Sequence, residues 1–517
     1  MLIINNIKLN LDKDINDLKS KISKKLKVSI NEILEFQIYK ESIDARKDVI
    51  FVYSCLVSLK NEDKYLKLAD VSKYNEASYS IPLVKSFNRP IVVGFGPTGI
   101  FAAYILAKAG LKPIVFERGA DVDQRKIDVE KFWNDGILNT ESNVQFGEGG
   151  AGTFSDGKLT TRIKDIRIPF ILDSLILNGA EKKIKYMHHA HIGTDKLRGI
   201  VKNMRKEIIN LGGEVHFNSY VENFIIENDT IKAVTVKGNN FYSDDIVLAL
   251  GHSAIDTIKT LIDLNVYIEP KDFAVGVRVE HPQILIDKNQ YKKYYNHPKL
   301  KASEYHLTYK PSNNHQVYSF CMCPGGYVVA SSSEKSTIVT NGMSYSDRAN
   351  EYANSAILVQ VKVEDYYKSN ILDGIDYQHK IESLAYKLAG NSYKANVCNI
   401  KDFMNDELNE IIFTPSYSLG YQLVDMNNLF DEFIIKSLKE SFTSFDRRIK
   451  GFINEGIIIG PETRSSSVVR IRRNEKLEST NIKNLYPAGE GAGYSGGIMS
   501  SFLDGIRVAE KIIEKYN

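Results

Sequence analysis

Three glycines and one acid have the spacing needed to hold a phosphate and a ribose. Gly94-Phe95-Gly96-Pro97-Thr98-Gly99 forms a GxGxxG turn, and Glu117 closes the apolar run that follows. Gly94 permits a tight turn, Gly96 leaves no Cβ between backbone and a pyrophosphate, and Gly99 lets a helix pack closely. Pro97 and Thr98 open that helix, whose free N–H groups and positive dipole end attract phosphate oxygens. A carboxylate at Glu117 can accept hydrogen bonds from both ribose hydroxyls and would repel a 2′-phosphate. Arg118, the next residue, is grouped with the same site.

Other residues could carry chemistry elsewhere in the chain. Cys321-Met322-Cys323-Pro324-Gly325-Gly326 places two thiols two residues apart, and a thiolate beside a redox cofactor can pass electrons. Cys323 is the catalytic candidate of the pair. CxC is not the CxxC of disulfide reductases, and buried structural cysteines on a strand give the same pattern. Arg464, between Pro461-Glu462-Thr463 and three serines, is the second catalytic candidate. His188, His189 and His191 crowd one short segment, but no carboxylate is near in sequence, so no metal site is expected. Arg470, Arg472 and Arg473 read as the outer face of a strand, with a transient NADPH phosphate site as the functional alternative.

The first motif sits in the context it needs. Ile91-Val92-Val93 is a short buried strand, Ile100 to Ala109 is rich in helix formers, and Pro113 to Phe116 is a second strand. Strand, glycine turn, helix, strand and acid in this order form the dinucleotide-binding fingerprint. Further on, Val221 to Tyr242 reads as an antiparallel meander. Asp245 to Gly251 is a last buried strand, ending in Ala249-Leu250-Gly251. The expected architecture is α/β, with a Rossmann-like FAD-binding domain, an inserted α+β substrate domain and a small N-terminal α+β domain. Residues 1–88 form the N-terminal β-α-β-β unit, 89–265 the first part of the nucleotide domain, 266–450 the insertion and 451–517 the return. Within the insertion, Asp347 to Tyr352 reads as a helix.

Three features select flavin as the tightly held dinucleotide. The late block LYPAGEGAGYSGGIMSSFLDG brings Gly489 and Glu490 to the end of a strand, where an acid meets the ribityl chain in two-part FAD folds. Gly497, Ile498 and Met499 then start a helix whose dipole would stabilise negative charge on the reduced ring. The loop VQFGEGGAGTFSDGK, residues 144–158, is glycine-rich enough to lie against a planar ring and is anchored by Val144, Phe146 and Phe154. The strand ending at Gly251 matches the one that returns beneath the adenosine half.

The set GFGPTG, QFGEGGAGTFSDGKL, HIGTDKL, ALGHSA, FCMCPGG, TNGMS, PETRSSS and LYPAGEGAGYSGGIMS resembles a bacterial family of FAD-dependent dehydrogenases. These are glutathione-reductase-like flavoproteins with a single dinucleotide-binding fold, related to aromatic hydroxylases. The resemblance covers nearly the whole chain and implies FAD and a redox fold, without naming a substrate. It implies cofactor contacts from Gly94, Gly96, Gly99, Glu117, Gly489 and Glu490. Arg125 stands where related hydroxylases place an arginine on the pyrophosphate. Gly149, Gly150, Gly152, Thr153, Phe154 and Ser155 would flank the ring, and Arg464 would reach it from the substrate side.

Composition bounds the rest. At 517 residues, with 43% hydrophobic and 25% charged residues, the chain is of ordinary globular type with two or three domains. A net charge of +3 argues against nucleic acid as an obligate partner. Four scattered cysteines and no apolar run near ~18 residues point to a cytoplasmic protein with no membrane span. The expected function is a two-electron FAD-dependent oxidoreductase for a small organic substrate, with NADPH or NADH as a transient co-substrate. Its alternatives are a flavin-dependent RNA-modifying protein, or a FAD-holding scaffold or sensor whose N-terminal domain docks a protein partner.

Overall fold

The computed structural model describes residues 1–517 except 77 and 162. Its centre is a five-stranded parallel sheet in the order Leu485–Pro487, Ile246–Leu248, Ile91–Val93, Ile114–Phe116, Glu214–His216. The three inner strands are runs of three apolar residues because both faces are covered. Ile91, Val93, Ile246 and Leu248 enter one core, while Val92, Val115 and Val247 enter the other. Helices Pro97–Lys108 and Ile498–Glu514 lie together on the second face, with Phe101 and Phe502 ring centroids 4.4 Å apart. The meander Val221–Glu227, Thr230–Val236, Asn239–Tyr242 forms its own three-stranded sheet.

A larger sheet of seven strands supplies the opposite wall of the molecule. Its order is Thr308–Tyr309, Val317–Cys323, Tyr352–Val361, Phe273–Pro282, Ile457–Glu462, Ala395–Asn399, Tyr421–Leu423. Ile457–Glu462 pairs with Phe273–Pro282 and with Ala395–Asn399. The boundary expected at residue 450 is therefore corrected, since the first strand beyond it completes the inserted sheet. The helix expected over Asp347 to Tyr352 is also corrected. Those residues form a turn, with Arg348 at φ +51, that leads into the strand Tyr352–Val361.

The N-terminal sheet runs Glu35–Asp44, Ile50–Ser58, Leu2–Asn10, Val71–Lys73, one strand more than the β-α-β-β reading. Leu2–Asn10 is a single strand whose register shifts between Ile4 and Ile7, where Asn6 adopts φ +58. Helix Asp17–Leu26 buries Leu18, Ile22 and Leu26 on one face. Tyr291, Tyr294, Tyr295 and Leu300 pack this unit onto the seven-stranded portion. Among the described residues no helix is long and apolar enough to cross a membrane.

One buried carboxyl gives the fold a pH dependence. Glu280 is fully buried, and it accepts the Ser416 N–H at 2.9 Å and the Ser416 hydroxyl. Burial pushes its pKa up to about 7, against the hydrogen bonds from Ser416. Unfolded, the same group titrates near ~4.3. Its contribution is thus full below the unfolded value and is lost as pH rises through about 7. Glu280→Gln is expected to gain melting temperature relative to the parent between pH 5 and pH 8. A difference that does not change with pH would remove this assignment.

Candidate functional site

Between the parallel sheet and the seven-stranded sheet lies a cavity of about 430 Å³. That is within the range of small-molecule and cofactor sites. The glycine turn forms one end of it. Gly94, Gly96, Pro97 and Thr98 line the wall where the Pro97–Lys108 helix begins. Gly497, Ile498 and Met499 line it where the Ile498–Glu514 helix begins. Two helix N-termini therefore open on one space, each with unpaired N–H groups and a positive dipole end.

Packing explains why the turn needs glycine. A Cβ on Gly99 would lie 2.0 Å from the Gly94 carbonyl oxygen and 3.3 Å from the Ala249 Cβ. Gly99 is thus not on the cavity wall and acts by letting the helix seat against the strand. Gly150 stands against Gly96 from the facing loop, where a Cβ would lie 3.0 Å from the Gly96 Cα. Gly150, Gly152 and Ser155 line the cavity, and so does Gly251.

Glu117 lines the cavity, yet its carboxylate already has three backbone partners. Oε2 accepts the Phe95 N–H at 2.7 Å, and Oε1 accepts those of Gly119 and Gly147 at 2.9 Å each. A carboxylate offers about four acceptor positions, so roughly one remains for a ligand hydroxyl. That is one position fewer than the two ribose bonds expected from sequence would use. Glu117 ties the glycine turn to the 144–158 loop. Arg118 pairs with Glu141 and Asp256 and lies between the rings of Phe146 and Tyr220, at 4.2 and 4.6 Å.

Several expected contacts are instead supports. Arg125 is buried off the cavity, donating to the carbonyls of Asn143, Val144, Gly147 and Glu148 at 2.9, 2.9, 3.3 and 2.7 Å. Burial pushes its pKa down to about 10, against the pull of Glu117 and Glu148. It shapes the loop rather than lining the cavity. Gly149, Thr153 and Phe154 also lie behind the wall. Phe154 packs with Val129 and Val144, and Thr153 accepts the Thr194 hydroxyl on its carbonyl at 2.5 Å. Gly489 is behind the wall too, its N–H bound to Asp504 at 2.7 Å.

Asp504 is a residue the sequence reading missed. It also takes both terminal nitrogens of Arg473, at 2.7 and 2.9 Å, so Arg473 faces inward instead of forming an outer face. Glu490, not Asp504, lines the cavity, 3.3 Å from His252 Nδ1. An acid seven residues into a helix carries no signal of its own in a single sequence.

The far end of the cavity is polar. Arg464 lines it and is held by Glu382 at 2.6 and 2.8 Å and by Glu334 at 3.0 Å. Burial opposes its charge, but the two carboxylates outweigh burial and raise its pKa. Its Nη1 is buried and has no hydrogen-bond partner among the described residues. Lys158 and His306 also line the cavity. Lys158 Nζ lies 3.0 Å from Asp156 and 2.5 Å from Glu304, while Arg348 pairs with Asp156 at 2.5 Å. Burial would raise the Asp156 carboxyl, but Lys158 and Arg348 hold it well below the usual range.

The histidine segment meets a carboxylate that sequence proximity did not show. His189 lies 3.0 Å from Glu304, and His306 completes a group whose ligand atoms are all within 4.8 Å. Lys158 Nζ lies on Glu304 Oε2 and His189 on Oε1. His191 is buried, and burial, aided by Arg348, pushes its pKa down to about 4.

The thiols exchange the roles expected of them. Cys323 is fully buried and does not line the cavity, whereas Cys321 does. Strand alternation would put both on one face, but the pairing with Tyr352–Val361 skips between Phe320 and Cys323. The bulge turns Cys321 to the cavity and Cys323 away.

Residues 272–465 match the family described as FAD-dependent protein, C-terminal domain-like, and residues 1–58 match a domain of unknown function. A Clostridium beijerinckii protein described as uncharacterized is 50% identical over 530 residues, covering 99% of each chain. Among solved structures, halogenase PltM shares 10% identity over 83% of this chain and 70% of that one, with a TM-score of 0.40. A geranylgeranyl bacteriochlorophyll reductase-like protein of Thermoplasma acidophilum shares 12% over 83% and 82%, with a TM-score of 0.36. CtdE in complex with FAD shares 11% over 83% and 89%, with a TM-score of 0.32.

Proposed function

Because the chain belongs to the family of the Clostridium beijerinckii protein and carries the FAD-dependent protein C-terminal domain, we propose that it is a FAD-dependent oxidoreductase. The observation that carries this reading is one cavity lined by the GxGxxG turn, by a second helix N-terminus and by Arg464.

The residues present fit the cofactor. The pyrophosphate would lie at Gly96, Pro97 and Thr98, beside the Gly150 backbone. Glu117 would keep one acceptor position for a ribose hydroxyl, and Glu490 would face the ribityl chain. Arg118, fixed between Phe146 and Tyr220, would border the adenosine half. Bound there, FAD supplies two-electron hydride chemistry at N5. Gly497 to Met499 would present the start of their helix to the ring edge that gains negative charge on reduction. Arg464 would hold an acceptor group of the substrate, and the Lys158 ammonium and the His306 imidazole line the same cavity.

The substrate is a small organic molecule, and the setting is cytoplasmic. NADPH or NADH would reach the ring transiently through the substrate portion, because the sequence has one dinucleotide fingerprint. The family of glutathione-reductase-like dehydrogenases is the finer assignment this favours. Purified protein is expected to carry flavin absorbance that bleaches anaerobically with NADPH, NADH or a substrate from a metabolite screen. Protein that remains colourless after reconstitution with FAD would end this reading.

A further inference from the structure

The cavity carries a second reactive feature that flavin binding does not require. Cys321 is partly exposed on its wall, and Cys323 is buried directly behind. Residues 321 and 322 together oppose the single residue Ser355, because pairing stops at Phe320↔Ala356 and resumes at Cys323↔Asn354. Cys321 takes φ +42, a conformation that side chains other than glycine seldom adopt. In a regular strand, residues two apart are separated by roughly 6.6 Å, near the upper limit for a disulfide. A bulge with one left-handed residue shortens that span.

The surroundings favour a thiolate at Cys321. The Cys323 Sγ donates to the Cys321 carbonyl at 3.2 Å, and Arg278 Nη1 donates to the same carbonyl at 3.1 Å. The charged groups facing Cys321 are Arg278 from the strand Phe273–Pro282, Glu462 from Ile457–Glu462, and Lys158 from the glycine loop. The neighbouring Cys323 thiol lowers the Cys321 pKa, helped by Arg278 and Lys158, and opposed by burial and Glu462. Cys323 moves the other way, raised by burial and by its bond to Cys321. Cys55 and Cys398 lie buried elsewhere, each pushed up to about 12 by burial.

We propose that Cys321 and Cys323 form a redox-active pair that exchanges with small-molecule disulfides entering the cavity. The Cys321 thiolate attacks one sulfur of R–S–S–R, forming a mixed disulfide and expelling RS⁻. Cys323 gives its proton to that thiolate and attacks the Cys321 sulfur, forming the Cys321–Cys323 bond and expelling the second RS⁻. The disulfide substrate gains two electrons, and the cysteine pair loses two. Cys321 is the attacking sulfur because only it faces the cavity, and Cys323 is the resolving one.

The test uses full-length protein, reduced and desalted, with hydroxyethyl disulfide as the probe. Mass spectrometry of the peptide holding both cysteines is expected to show loss of two hydrogens. Cys323→Ser should instead accumulate a mercaptoethanol adduct on Cys321, and Cys321→Ala should leave Cys323 unmodified. Alkylation of the parent by iodoacetamide should be at least about tenfold faster at Cys321 than at Cys55 or Cys398. Its pH midpoint should lie below the ordinary ~8.5 and rise in Cys323→Ser. An unmodified peptide, or Cys321 reacting no faster than the two buried thiols, would overturn the assignment. Flavin content, read by absorbance on the same samples, reports separately on the cofactor reading.

Discussion

Arg125→Met is expected to destabilise the protein by about 3–5 kcal/mol and to lower its bound flavin at least about tenfold. The guanidinium is fully buried and donates to four carbonyls of residues 143–148, over the Phe154 ring at 4.9 Å. Methionine fills much of the volume but donates nothing, and each buried carbonyl left without a donor costs about 1–3 kcal/mol. The loop then loses the shape that places Gly150 against Gly96. Arg125→Lys should fall between, since an ammonium cannot reproduce the planar fork. Denaturant unfolding followed beside visible absorbance separates the possibilities. Flavin loss with unchanged stability would mean that Arg125 touches the cofactor directly, and no change in either would remove the supporting role.

Gly99→Ala is expected to destabilise a helix that alanine would ordinarily favour. In an exposed helix interior the change gains about 0.5–1 kcal/mol. Here the added methyl would lie 2.0 Å from the Gly94 carbonyl oxygen, against backbone that cannot rotate away. Overpacking of this kind costs about 1–3 kcal/mol and moves the helix start away from the turn, so flavin retention should fall about tenfold. Gly199→Ala is the control, since nothing lies within 4 Å of its added Cβ in helix Thr194–Asn210. That variant should be neutral or more stable. Equal melting temperatures for the two variants would show that the close approach at Gly99 has no energetic weight.

The legible parts of the site were those encoded by neighbours in sequence. The turn at 94–99, its helix and the strands on either side are local patterns, and their geometry follows from glycine sterics and short-range periodicity. The expected meander and the apolar strand ending near Gly251 were legible for the same reason. Arg125 was misread because its spacing from Glu117 suits either a phosphate contact or a loop support. Which of Cys321 and Cys323 meets the cavity could not be read from sequence, because the bulge that turns them apart depends on the partner strand Tyr352–Val361. The boundary at 450 failed for a related reason. A run such as Ile457-Ile458-Ile459 shows that a strand is buried without showing between which neighbours.

By itself the sequence determined the nucleotide turn, the α/β plan and the identity of the groups able to do chemistry, because these rest on residue type and short spacing. The tertiary structure alone decided which of those groups meet. Glu304 with His189, Asp504 with Arg473, Glu382 with Arg464 and Asp156 with Arg348 are each separated by at least some thirty residues of chain. Such pairs form only when distant elements pack together, and burial then shapes both their partners and their charge.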